Sequence, residues 1–178
     1  MKRNLLVLLS ILLLMAALLA VAVFVPFPLD PYLDFQVLYR ADSGILRGIP
    51  LYDLPGQKQM VADQFGVTVE KVFVLPFPYP PWYAVVTLPL ALLPIEIAVR
   101  LWLMLNIVML ILSVWLLTDG WPPRKRLYSF LVAFLFFPVF GALVVGQYVF
   151  PTILGMSLTL YALKHQRVGL VALGMGLV

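Results

Sequence analysis

DFQVLYRADSGILRGIPLYD, residues 34–53, holds three carboxylates and two arginines inside a chain that is 63% hydrophobic. Gln36, Arg40, Ser43 and Arg47 recur along it at helical spacing, and Leu38, Ala41 and Ile45 fall on the other side, flanked by Phe35 and Leu46. That pattern predicts an amphipathic helix. Asp30-Pro31 supplies a start, with Asp as N-cap and Pro at the first helical position. Gly48, with Pro50 two residues on, supplies the stop. Such a helix beside a membrane span lies flat at the interface. Asp34 then sits one turn inside the helix start, where it either complements the helix dipole or carries chemistry. Asp42 falls among the apolar positions, where it pairs with a neighbour or faces a cavity. Asp53, before Leu54-Pro55-Gly56, reads as a turn residue.

The rest of the composition supports a membrane setting. Only 11% of the 178 residues are charged, against about 25% in soluble domains, and the mean hydropathy is +1.05. These values predict a multi-span membrane protein. Cysteine is absent, which excludes a disulfide framework, a thiolate nucleophile and a cysteine-based zinc site. No HExxH, P-loop or GxGxxG pattern is present.

Apolar runs divide the chain. Asn4–Val25 follows Lys2-Arg3 and is too long for the apolar region of a secretory signal, about 7–15 residues, so it reads as an uncleaved first span. Pro26–Pro81 carries six of the eight acids and no stretch able to span. Tyr79–Pro94 is apolar but short, and Pro89 interrupts it, which predicts a re-entrant or interfacial helix. Ile95–Thr118 and Leu127–Val145 read as spans, Val149–Leu163 as a shorter one, and Val168 opens a run that stops early, as in an N-terminal fragment. The domain reading is a single membrane domain over 1–178, incomplete at its C-terminus: first span 1–25, external loop with juxtamembrane helices 26–94, further spans 95–178.

Lys and Arg in the short loops set orientation. Lys2-Arg3, Arg124–Arg126 and Lys164 with Arg167 all fall on one side if each run crosses once and Tyr79–Pro94 does not. That side is the cytoplasm, and the Asp34 helix and the Gly146-Gln147 corner lie opposite. Glu96 and Arg100, four residues apart, read as a local ion pair. His165 falls on the cytoplasmic side.

The ordered series of DFQVLYRADSGILRGIPLYD, YPPWYAVVTLPLALLP, Leu101-Trp102 with Asn106, and FFPVFGALVVGQ resembles glycosyltransferase family 87, the polyprenyl-phosphate-mannose-dependent mannosyltransferases. The resemblance covers roughly Asp34 to the end. It departs from the family's common pattern in the Tyr148-Val149-Phe150 that follows the GQ. It implies an all-α, polytopic transmembrane fold of GT-C type, with an amphipathic juxtamembrane helix in the first external loop. It also implies inverting transfer at the outer face of the cell membrane, from a polyprenyl-phosphate sugar to a glycolipid or glycan hydroxyl, with Asp34 as base.

That chemistry needs one carboxylate, since a polyprenyl phosphate departs as a stable anion without an acid's help; hydrolases instead pair an acid with a base. The departing phosphate calls for cations, and Arg40, Arg47 and Lys71 are candidates. Tyr39, Tyr79 and Gln147 are the remaining candidate substrate contacts. Interfacial anchoring is the competing explanation for Tyr79, and a helix-end cap for Gln147. No cofactor, metal or nucleic-acid partner is expected; membrane lipid is. The competing functions are a transporter or flippase subunit for lipid-linked sugars and a non-catalytic assembly scaffold. Transporters concentrate polarity at mid-membrane on broken helices, whereas here the polarity lies in one loop.

Overall fold

The Asp34 stretch does form a helix, and its end is well determined. The structure, a computed structural model, describes residue 16 and residues 34–178. The first span expected over Asn4–Val25 lies, Ala16 apart, outside the described residues, as does the Asp30-Pro31 helix start. Helix α1 runs Asp34–Leu46. It stops where Gly48 takes φ +77°, a left-handed geometry that glycine adopts without Cβ strain. The Gly48 amide then bonds the Ile45 carbonyl at 3.0 Å and the Ile49 amide bonds that of Gly44 at 2.9 Å, the paired closure of a Schellman stop.

Every regular element among the described residues is helical. They form two compact units, Phe27–Trp102 and one that includes Leu103–Val178. In the first, α1 is followed by α2 (Leu54–Phe65), a 3-10 turn at Val69–Lys71, α3 (Pro81–Thr87) and a 3-10 turn at Leu88–Leu92. Asp53 is the N-cap of α2, its carboxylate accepting the Gly56 amide at 3.1 Å. This sharpens the expected turn: Pro55 belongs to a first helical turn. Ala62 of α2 packs on Val72 and Val74. The Tyr79–Pro94 segment has the short, interrupted form its prolines predict.

Helix α4 (Ile95–Leu117) has 23 residues, about 34 Å at 1.5 Å per residue, enough for a hydrocarbon core of about 30 Å. Its first two turns belong to the first unit and the rest to the second. Among the described residues it alone is long and apolar enough to cross a membrane unaided. The span expected over Leu127–Val145 is broken into α5 (Pro123–Leu135) and α6 (Phe137–Val145), bent by 55°. Pro138 is the cause: its ring clashes with the carbonyl four residues back and it has no amide to donate. Counted as one crossing, the pair brings the described spans to two. Helices α7 (Val149–Lys164) and α8 (Val168–Gly176) are shorter. The expected pairing of Glu96 with Arg100 does not form; among the described residues the ion pairs gather at Asp119.

Helices α7 and α8 pack through glycine. A Cβ on Gly155 would lie 2.6 Å from the Gly174 carbonyl oxygen and 2.8 Å from Leu177, so only a bare backbone fits. Gly169 has nothing within 4 Å of such an atom. Gly155→Val therefore destabilises this unit by about 1–3 kcal/mol through overpacking, whereas Gly169→Ala does not. Thermal melting of the detergent-solubilised protein checks this; equal melting of the two variants would contradict the packing.

Candidate active site

The first unit gathers most of the residues that the sequence marks for chemistry. Asp34 occupies the first described position of α1 and is partly buried. Behind it, Phe35 is 1% exposed and stacks on Trp102, ring centroids 6.1 Å apart. The DF and LW motifs, distant in sequence, thus meet in one contact. Phe35 also touches the ring of Tyr39 at 6.0 Å.

Two polar ties fix α1 to its surroundings. The Tyr39 hydroxyl donates to the Leu93 carbonyl at 2.7 Å. Arg40 Nη2 donates to the Leu75 carbonyl at 2.6 Å. Burial lowers the Arg40 guanidinium to about 10, so it stays charged at neutral pH, and its Nε is buried with no hydrogen-bond partner among the described residues. Burial foremost, then the Glu96 charge, pushes the Tyr39 phenol up. Arg47 is exposed beyond the helix stop.

α1 is more enclosed than an interfacial helix with one wet face. Phe35, Val37, Leu38, Ala41, Asp42 and Gly44 are all buried, and its neighbours are α3, the Leu88–Leu92 turn and α2. Leu46, expected on the apolar side, is 45% exposed. The helix is covered by protein on more than one side, because the loop that follows folds back over it.

Tyr79 stands just before α3 in a run of aromatic contacts. Phe77 meets it edge-on at 5.4 Å and Tyr83 lies 6.0 Å away, while the Tyr52 hydroxyl donates to its carbonyl at 2.7 Å. Burial, then the negative charge of Asp34, then Tyr83, push the Tyr79 phenol well above its ordinary value. It stays protonated at physiological pH. Asp34 and Tyr79, 45 residues apart in sequence, are therefore electrostatic neighbours.

Gln147 belongs to the second unit. There Gly146 takes φ +72° and ends α6, and the Gln147 carbonyl accepts from Asn106 Nδ2 at 3.2 Å. The Asn106 and GQ motifs meet through backbone, and the Gln147 side chain is exposed. Asp34, Tyr39, Arg40, Arg47 and Tyr79 thus fall within one unit; Asp34 and Tyr79 are electrostatic neighbours, while Tyr39 and Arg40 are tied to Leu93 and Leu75. Thr87 and the Phe35–Trp102 contact went unmarked in the sequence. Thr87 carried a faint signal, a lone hydroxyl four residues after Tyr83 in an apolar run.

The family model described as Glycosyltransferase family 87 matches residues 77–178, more than half of the chain. The match takes in the YPP, LW and GQ motifs and leaves the Asp34–Asp53 stretch, with helix α1, outside. No curated protein and no solved structure matches the chain.

Tyr39→Phe removes one hydrogen bond and little else. It lowers stability by about 1 kcal/mol, seen as a lower melting temperature in detergent; an unchanged melting temperature would mean that the Leu93 tie carries no weight.

Proposed function

The chain belongs to glycosyltransferase family 87, and from that premise we propose that it moves a sugar, mannose by resemblance, from a polyprenyl-phosphate donor to a hydroxyl of a glycolipid or glycan. Transferase activity and membrane character follow from the family; donor, sugar, acceptor and stereochemistry are our reading. One observation supports it: Asp34, part-buried at the start of α1, is an electrostatic neighbour of the protonated Tyr79 phenol, and α1 is the helix that the family resemblance marks for the base.

In this reading Asp34 accepts the proton of the acceptor hydroxyl as that oxygen attacks the anomeric carbon. The bond from that carbon to the phosphate oxygen breaks in the same displacement, and the polyprenyl phosphate departs as an anion. A positioned base contributes about 10²–10⁴-fold. Tyr79 supplies a neutral hydroxyl next to the base, suited to a sugar oxygen. Arg40 stays cationic under partial burial, where a charge acts more strongly on a departing phosphate than it does in water, and its Nε is an uncommitted donor. Tyr39, with its proton given to Leu93, has oxygen lone pairs left to accept a sugar hydroxyl. Arg47 is an outer contact for the headgroup. The chemistry proceeds at the external membrane face, with the N-terminus cytoplasmic.

Membranes carrying the full chain, incubated with labelled polyprenyl-phosphate mannose and a membrane lipid extract, test this. Wild type transfers label, and Asp34→Asn at matched expression loses at least about 10²-fold. Equal transfer by both would remove Asp34 from the chemistry. Transfer by neither would contradict the donor or acceptor assignment and favour a transporter or scaffold.

A further inference from the structure

The charges of Leu103–Val178 are confined to two junctions. Asp119 is the one acid of this stretch. Its cations are Arg124, Lys125 and Arg126 where α4 passes into α5, and Lys164 and Arg167 where α7 passes into α8, with His165 beside them. No charged residue occurs between Leu127 and Leu163.

The structure sets the two junctions side by side. Lys164 Nζ donates to the Asp119 carbonyl at 2.8 Å and to its carboxylate at 3.0 Å. His165 Nε2 lies 2.8 Å from the same carboxylate oxygen. Left-handed backbone shapes both loops. Gly120 takes φ +80°, and a Cβ there would stand 3.4 Å from Lys164 Nζ. Gln166 takes φ +54°, and the Arg167 amide closes the end of α7 on the Ala162 carbonyl at 2.9 Å. Arg126 folds the start of α5 onto the end of α4. Its guanidinium covers the Trp115 ring at 3.5 Å, Nη2 donates to the Trp115 carbonyl at 2.8 Å, and Nε donates to Thr118 Oγ1 at 3.1 Å.

These ties engage Asp119, Lys164 and Arg126. They leave Arg124, Lys125 and Arg167, all exposed, with no side-chain hydrogen bond or ion pair among the described residues. The carboxylate that would neutralise them is already held by two partners. A signal that only orients the chain needs positive charge in its loops; it does not need the loops locked together. Helix α4 is long and apolar enough to cross a membrane, which sets the junction at its C-terminal end at headgroup level. Trp121 and Tyr128, 52% and 64% exposed, bracket Arg124 and Lys125 in sequence, as aromatic rings do at that depth. Tyr128 follows Arg124 by four residues, on the same side of α5.

We propose that Arg124 and Lys125 from one junction and Arg167 from the other bind the phosphate of an anionic phospholipid headgroup, in the leaflet that meets this end of α4. Guanidinium and ammonium groups are the donors that phosphate oxygens take best. A zwitterionic headgroup offers the same phosphate but brings a cation of its own, which three unpaired cations disfavour. The Asp119 tie assembles the surface by joining the two loops. The proposal rests on the membrane character of the chain and not on its transferase activity.

The full chain in detergent, titrated with chain-labelled phosphatidylglycerol and separately with chain-labelled phosphatidylcholine, tests this by fluorescence anisotropy. Phosphatidylglycerol binds at least about tenfold more tightly. The margin shrinks from roughly 0.1 M to roughly 1 M salt, as the screening length falls from about 10 Å to about 3 Å. Arg124→Gln, Lys125→Gln and Arg167→Gln, made singly, each weaken phosphatidylglycerol about fivefold and leave phosphatidylcholine unchanged. Their melting temperatures stay at the wild-type value, because these side chains are exposed and unbonded. The salt series on wild type decides the matter if a variant is not recovered. Asp119→Ala raises the net charge by one yet weakens phosphatidylglycerol, because the junctions part. Equal affinity for the two lipids, a margin indifferent to salt, or single substitutions without effect would overturn the proposal. So would tighter binding by Asp119→Ala, which would mean that diffuse charge acts alone. Inorganic phosphate displacing the labelled lipid as readily as unlabelled phosphatidylglycerol does would also contradict it, since the surface would then take a free anion and not a lipid.

Discussion

The seating of α1 on the segment between Leu75 and Trp102 is the constraint on which the candidate site depends. Three contacts of different kinds make it: Phe35 on Trp102, the Tyr39 hydroxyl on the Leu93 carbonyl, and Arg40 on the Leu75 carbonyl. The aromatic contact anchors the start of the helix, where Asp34 sits. Burying a side chain of this size contributes about 1.5–3 kcal/mol, and the two hydrogen bonds hold the rotation of the helix about its axis. Rotation matters most, because a turn of one residue, about 100°, would swing Asp34 away from Tyr79 and bring a different carboxylate or none.

Buried polarity is unevenly settled across this unit. Arg40 and Gln57 each satisfy one end on backbone carbonyls, Gln57 Nε2 on Leu51 at 2.6 Å, and leave another atom buried and unmatched. Asp42 leaves both oxygens unmatched. A fold selected for stability alone would place apolar residues at such positions. Three of these residues, Arg40, Asp42 and Gln57, lie in the first unit, and Asn106 leaves its Oδ1 unmatched in the second. In the second unit, the exposed charges tie loops together. Lys164 and His165 both reach Asp119, at 3.0 and 2.8 Å, and these partners hold its carboxyl below the usual range, His165 foremost. Arg126 covers the Trp115 ring at 3.5 Å and caps the end of α4 by donating to the Trp115 carbonyl.

Several of these elements were legible in the sequence for local reasons. Gly48 ends α1 because only a residue free of Cβ strain takes its φ, and that signal is written in one letter. Ile95–Leu117 is readable because an apolar run of that length has few other uses. The Pro89 interruption is readable for the same covalent reason that Pro138 breaks the α5–α6 pair, yet the Pro138 break was not foreseen. The flanking run is so apolar that hydropathy hid the backbone effect. Helix α2 was hidden because its composition is polar and its cap, Asp53, reads equally well as a turn. The site was legible as a list of residues and not as a geometry. The electrostatic influence of Asp34 on Tyr79 and the contact of Phe35 with Trp102 are non-local relations that no periodicity encodes. Asp42 was recognised as misplaced among apolar residues, but its enclosure depends on the loop that folds back over α1.

The chemical account turns on a single carboxylate acting alone. Asp42 is buried and lies about 12 Å along the helix from Asp34, so it is not the partner that a hydrolase-type acid–base pair would need. One base and a self-sufficient leaving group require a single displacement. The anomeric configuration of the newly attached sugar, determined by NMR on the first-formed product and compared with that of the lipid-linked donor, tests this most directly. The account predicts inversion. Retention would require a covalent glycosyl intermediate on a second nucleophile and would contradict it.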